Sequence, residues 1–105
     1  MKIVNRGFLR VKGKTAFLNW AAQQDEEFAP DENSDANIYL VEEDFFEVEP
    51  VIEANFKRIF RNELESVSDD SASYPEIKME NFVEWFTIEA GNAVFDCEKK
   101  GLQAD

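Results

Sequence analysis

Hydrophobic and polar residues alternate from Gly7 to Lys12, with Gly7, Leu9 and Val11 on one side and Arg6, Phe8, Arg10 and Lys12 on the other. A period of two belongs to a strand with one buried face, so this segment is predicted as the first strand. After Gly13 the period changes. Phe17, Leu18, Trp20, Ala21 and Ala22 make a helical stripe, and with Thr15 as the N-cap they predict a helix over 15–24. Residues 25–36 carry Asp25, Glu26, Glu27, Asp31, Glu32 and Asp35 around Pro30, show no apolar period, and read as an exposed loop. Asn37-Ile38-Tyr39-Leu40-Val41 is short, apolar and partly β-branched, as a central strand requires. A strand–helix–strand order predicts a right-handed parallel connection between the two strands.

Ile52, Phe56, Ile59, Phe60, Leu64 and Val67 recur at spacings of three, four and seven, predicting a second helix over about 50–65. Pro50 suits its first turn, and the acids ahead of it complement the helix dipole. Residues 66–75 are rich in turn formers and predict a mobile surface segment. A third helix is expected over about 76–89, burying Phe82, Trp85 and Phe86, with Gly91 as a left-handed C-terminal cap. Ala93-Val94-Phe95-Asp96-Cys97 reads as a last short strand, and 99–105 as a polar tail. The predicted fold class is α+β: a two-layer sandwich, order βαβααβ, whose small three-stranded mixed sheet carries helices on one face. The open face would present Arg6, Phe8, Arg10 and Lys12, with Asp96 and Glu98 paired opposite them.

Composition fits one domain over 1–105: ten Phe and 44% hydrophobic residues supply a core without staples. The single cysteine, Cys97, makes no internal disulfide, and its position in the last predicted strand suits a small buried thiol. No apolar leader follows the Met-Lys start, and no apolar run approaches the roughly 20 residues of a membrane span, so a cytoplasmic location is expected. The net charge is −12, and it is polarised. Residues 1–14 hold five basic groups and no acid, whereas the remaining 91 hold 6 basic and 23 acidic groups, a balance of −17. Such a field disfavours direct binding to nucleic acid or to anionic membranes.

Asn5-Arg6-Gly7-Phe8-Leu9-Arg10-Val11-Lys12, Ile38-Tyr39-Leu40-Val41, Glu84-Trp85-Phe86 and Val94-Phe95-Asp96 together resemble a family of small acidic bacterial proteins without an assigned activity. The resemblance implies a single bacterial domain and supplies no functional residues.

Candidate chemistry is sparse. Asp31 to Glu42 matches a calcium loop at its first, third, fifth, eighth and twelfth positions, but Ala36 stands where the sharp turn needs glycine and Pro30 ends any entering helix. A solvated acidic loop is the expectation. Glu42, Glu43 and Asp44, or Asp69 and Asp70, place carboxylates side by side as acid–base chemistry requires, yet no apolar setting surrounds them. Histidine is absent, which removes His-dependent nucleophilic mechanisms, and the four isolated glycines form no phosphate loop. Trp20 and Trp85 lie on apolar stripes and read as core rather than a ligand box. Arg6, Phe8, Arg10 and Lys12 echo an RNA-binding sheet in a field of the wrong sign. Phe45-Phe46, flanked by acids on both sides, is either core or a partner anchor.

The chain is therefore expected to be a non-enzymatic protein-interaction domain, an adaptor or inhibitor without cofactor or metal. It would bind a basic protein partner through Asp25, Glu26, Glu27, Asp31, Glu32, Asp35, Phe45 and Phe46. The alternative is a small-ligand binder or carboxylate enzyme with a cleft between the open sheet face and the 25–35 loop.

Overall fold

The computed structural model describes residues 1–27 and 29–102, so Phe28 in the acidic loop and the last three residues of the tail lie outside it. Strand β1 (Lys2–Ile3) leads into β2 (Gly7–Gly13), then helix α1 (Thr15–Gln24), β3 (Asn37–Val41), α2 (Val48–Glu65), a 3-10 turn (Ser71–Ser73), α3 (Met79–Trp85), β4 (Phe86–Gly91) and β5 (Phe95–Asp96). The class is α+β, with three helices and a three-stranded sheet ordered β3-β2-β4.

The sheet is antiparallel throughout, not mixed. Val11 faces Asn37 and Gly7 faces Val41, so β3 begins where β2 ends. In a parallel unit the helix itself returns the chain. Here α1 travels about 15 Å away and the loop after it carries the chain back, which its twelve residues can do at about 3.3 Å each. The parallel connection expected from element order is thereby overturned.

The third predicted helix was too long. It ends at Trp85, and Phe86 is already extended (φ −135°, ψ 145°). Phe86, Ile88 and Ala90 alternate with Thr87 and Glu89 along β4, and β4 covers the side of β2 that β3 leaves bare. The aromatic spacing at 82, 85 and 86 also fits a helix, so tertiary pairing decided the outcome. Gly91 is a strand residue without positive φ, not a cap. Lys14 rather than Thr15 stands at the N-cap of α1, and it makes no side-chain cap.

The final strand is only Phe95–Asp96 and pairs antiparallel with β1 in a separate two-stranded sheet. Asp96 accordingly meets Lys2 at 3.7 Å, while the partner of Arg10 is Glu89 at 2.8 Å. Cys97 falls beyond β5 and is exposed, which corrects its assignment to a buried strand.

Leu9 and Val11 from the central strand, Phe17, Trp20 and Ala21 from α1, Phe56, Ile59, Phe60 and Leu64 from α2, and Phe82 and Phe86 form one buried cluster. Ile52, expected there too, is only partly buried against it. Phe60 is fully enclosed, with its ring centroid 5.6 Å from those of both Phe82 and Phe86. Trp20 is part of this packing, and its indole N–H donates to Ser73 O at 2.9 Å. Within the 66–75 segment the Tyr74 hydroxyl donates to Ser68 O, so the segment touches the core at Trp20 and folds back on itself. No helix among the described residues is long and apolar enough to cross a membrane.

Candidate functional site

The six loop acids, Asp25, Glu26, Glu27, Asp31, Glu32 and Asp35, are all exposed. The loop has internal order. Asp31 Oδ1 accepts from the Asn33 N–H at 2.8 Å, and the Asp31 N–H donates to Ser34 Oγ at 3.0 Å. Asp31, the first position of the calcium-like motif, thus serves the loop's own backbone, and Glu42, its last position, is exposed beyond β3. Among the described residues no three His, Cys, Asp or Glu side chains gather as a metal site.

Phe45 and Phe46 lie at the other end of β3, separated from the loop by about 16 Å of strand at 3.3 Å per residue. The two rings have opposite fates. Phe45 packs on the core, and its ring sits so close to Gly7 that a Cβ there would lie 2.7 Å from Cε1. Asn92 Nδ2 also donates to Phe45 O at 2.9 Å. Phe46 is fully exposed, with a relative accessibility of 104%. It precedes Glu47, the N-cap of α2, and so occupies the position from which a hydrophobic staple would pack against Val51. Val51 is buried without it. Glu42, Glu43, Asp44, Glu47 and Glu49 surround Phe46 in the chain and are exposed as well.

Among the described residues one carboxylate is buried, and it is not among the predicted pairs. Glu63 on α2 is 5% exposed, and its Oε2 accepts from Asn37 Nδ2 and from the Tyr39 hydroxyl, both at 2.6 Å. Asn62 Nδ2 in turn donates to the Tyr39 oxygen at 2.9 Å. Burial first, then the hydrogen bond to Glu63, pushes the Tyr39 hydroxyl above the usual tyrosine range, with Asn62 pulling the other way. A signal for Glu63 was present in the sequence: it lies three, four and seven residues after Phe60, Ile59 and Phe56, on the buried stripe of the helix. The pairs considered from sequence, Glu42–Asp44 and Asp69–Asp70, are all exposed.

Glu63 lines a cavity of about 90 Å³ with Asp31, Ser34, Asp35, Asn37 and Ser66. Val11 and Phe17 form its apolar side, so it lies on the core side of the sheet, not beside the open face where a cleft was expected. Ligand pockets usually have about 300–1,000 Å³. A larger concavity, about 750 Å³, opens between α2 and α3 over Ile52, Phe56, Met79 and Val83.

On the open sheet face Phe8 pairs with Leu40 and Gly91, and Arg10 with Ile38 and Glu89. None of these neighbours is an aromatic ring, so the stacked platform of an RNA-binding sheet is not formed. Comparison of the chain with protein-family models, curated proteins and solved structures finds no match.

Proposed function

We propose that this protein is a non-enzymatic interaction domain of the cytoplasm, an adaptor or inhibitor that recruits a basic protein partner through its acidic surface. Its architecture is a two-layer sandwich with helices on one sheet face. The observation that carries the reading is Phe46, a fully exposed ring amid exposed carboxylates, next to Phe45, which is partly buried against the core. An exposed aromatic contributes contact area on docking, and the flanking charges steer a basic surface toward it. The acidic loop at the other end of β3 widens the same field.

The enzyme or ligand-binding alternative rests on Glu63. Its Oε2 is engaged by Asn37 and Tyr39, and the cavity beside it is under a third of ordinary ligand-pocket size. A structural role accounts for both features.

Affinity capture with immobilised protein, followed by mass spectrometry and purified rebinding, tests the proposal. The expected result is a partner rich in Lys and Arg, released by moderate salt and bound at least tenfold more weakly by Phe46→Ser. Neutralising the six loop acids to Asn or Gln should slow association at low salt. A partner that binds both variants with wild-type kinetics would overturn the proposal.

A further inference from the structure

We infer that the groove between α2 and α3 is the seat of a short, basic, amphipathic helix from the partner. The inference rests on the interaction reading above and names where the partner's apolar side chains go. Glu49, Ile52, Glu53, Phe56 and Lys57 follow one stripe of α2, at helical spacings, and Met79 and Val83 stand one turn apart on α3. Two helix walls with an apolar floor make the groove that an amphipathic third helix fills. Its size agrees. From Glu49 to Lys57 α2 rises about 12 Å, close to the roughly 10 Å between the first and last anchors of an i, i+3, i+4, i+7 stripe.

Charge selects the occupant. Glu49 and Glu53 rim the α2 wall, and Glu80 and Glu84, both exposed, stand one position beyond the two groove residues of α3. Lys57 is the one cation lining the groove; Lys78, just ahead of α3, is engaged by Glu76 at 3.5 Å and Glu80 at 3.9 Å. A helix with basic flanks meets Glu49 and Glu53 along this wall, whereas an acidic helix would be repelled. The polarity also orients it: the most basic end lies over Glu49 and Glu53, toward Phe46, and an acidic or neutral end lies over Lys57.

The probe is a synthetic 18-residue peptide with Leu on an i, i+3, i+4, i+7 stripe and Lys on the remaining face, titrated into the full chain with methyl NMR detection. Saturable 1:1 binding is expected, with shifts at the Ile52, Met79 and Val83 methyls. A scrambled peptide of equal composition, and the same stripe flanked by Glu, should bind at least tenfold more weakly. Val83→Arg, at a position already 44% exposed and so tolerant of change, should weaken the peptide at least tenfold, while Leu40→Arg on the open sheet face should not. Equal binding of the scrambled peptide, unmoved groove methyls, or wild-type affinity of Val83→Arg would each overturn the inference. So would a concentration-dependent dimer that Val83→Arg abolishes, because the occupant would then be a second copy. Shifts confined to Phe46 and its neighbours would sink the groove while leaving the interaction reading standing.

Discussion

Two of the concavities bordering α2 differ in what they leave unsatisfied, while a third of about 320 Å³ lies over Tyr39, Val41 and Ile59. Beside Asn37 the space is small and polar, and its carboxylate, Glu63, is engaged by Asn37 and Tyr39. On the α3 side the space is about eight times larger and floored by Ile52, Phe56, Met79 and Val83. Among the described residues no buried side-chain nitrogen or oxygen lacks a hydrogen-bond partner, so the polar side is complete within the chain. The apolar side keeps surface in contact with water that a partner would bury. Engagement inside the chain accounts for the first as structure, and the second is the groove in which we propose that the partner helix sits.

Phe60→Ala removes a fully buried ring that touches both Phe82 and Phe86, and should cost about 3–5 kcal/mol in chemical denaturation. An unfolding midpoint close to wild type would mean that α2 does not pack as described, and both concavities would lose their common wall.

Glu63→Ala strands the Asn37 amide and the Tyr39 hydroxyl and should cost about 1–3 kcal/mol. Glu63→Gln keeps an acceptor and should recover most of that loss. If the two variants were equally stable, the polar network would not be holding α2 to β3.

Tyr39→Phe should cost about 1 kcal/mol at neutral pH and change the alkaline limb of stability. The folded-state hydroxyl is held above the ordinary value of 10.0, so its contribution is complete below that pH. As pH rises past it the unfolded chain ionises first, and the contribution is lost progressively toward the folded-state value. Wild type should therefore lose stability above pH 10.0 more steeply than Tyr39→Phe, measured by urea unfolding across that range. Parallel profiles would contradict the Tyr39–Glu63 bond. The smallest effect belongs to the groove: Val83→Arg should change stability by no more than about 0.5 kcal/mol, because the side chain already meets solvent. A larger loss would show that Val83 is core and the groove closed.

Much of this was legible in the residues. The alternation at 7–12 marks β2, and the three-four-seven stripe marks α2 with only two residues missing at its start. What failed depended on pairing between distant segments. Strand direction was set by the length of the acidic loop, and Phe86–Gly91 became a strand because β2 has a second edge to fill. Glu63 lay on a recognisable buried stripe but was hidden by its charge, since a carboxylate is rarely enclosed without partners and those partners sit 24 and 26 residues away. The six acids of the loop at 25–36 are exposed, whereas Ala29 packs against the core. The division of Phe45 from Phe46 was beyond pattern alone, because two adjacent aromatics differ only in where the backbone turns after β3. The groove needs two helices placed side by side and is visible only in three dimensions.

Stopped-flow binding of the Lys-flanked, Leu-striped peptide, at low and high salt, tests the central claim most directly. The account predicts that salt and the six-acid loop variant mainly slow association, whereas Val83→Arg mainly speeds dissociation, because charge steers the encounter and apolar burial holds the complex. An association rate indifferent to salt and to the loop acids, or a dissociation rate untouched by Val83→Arg, would contradict it.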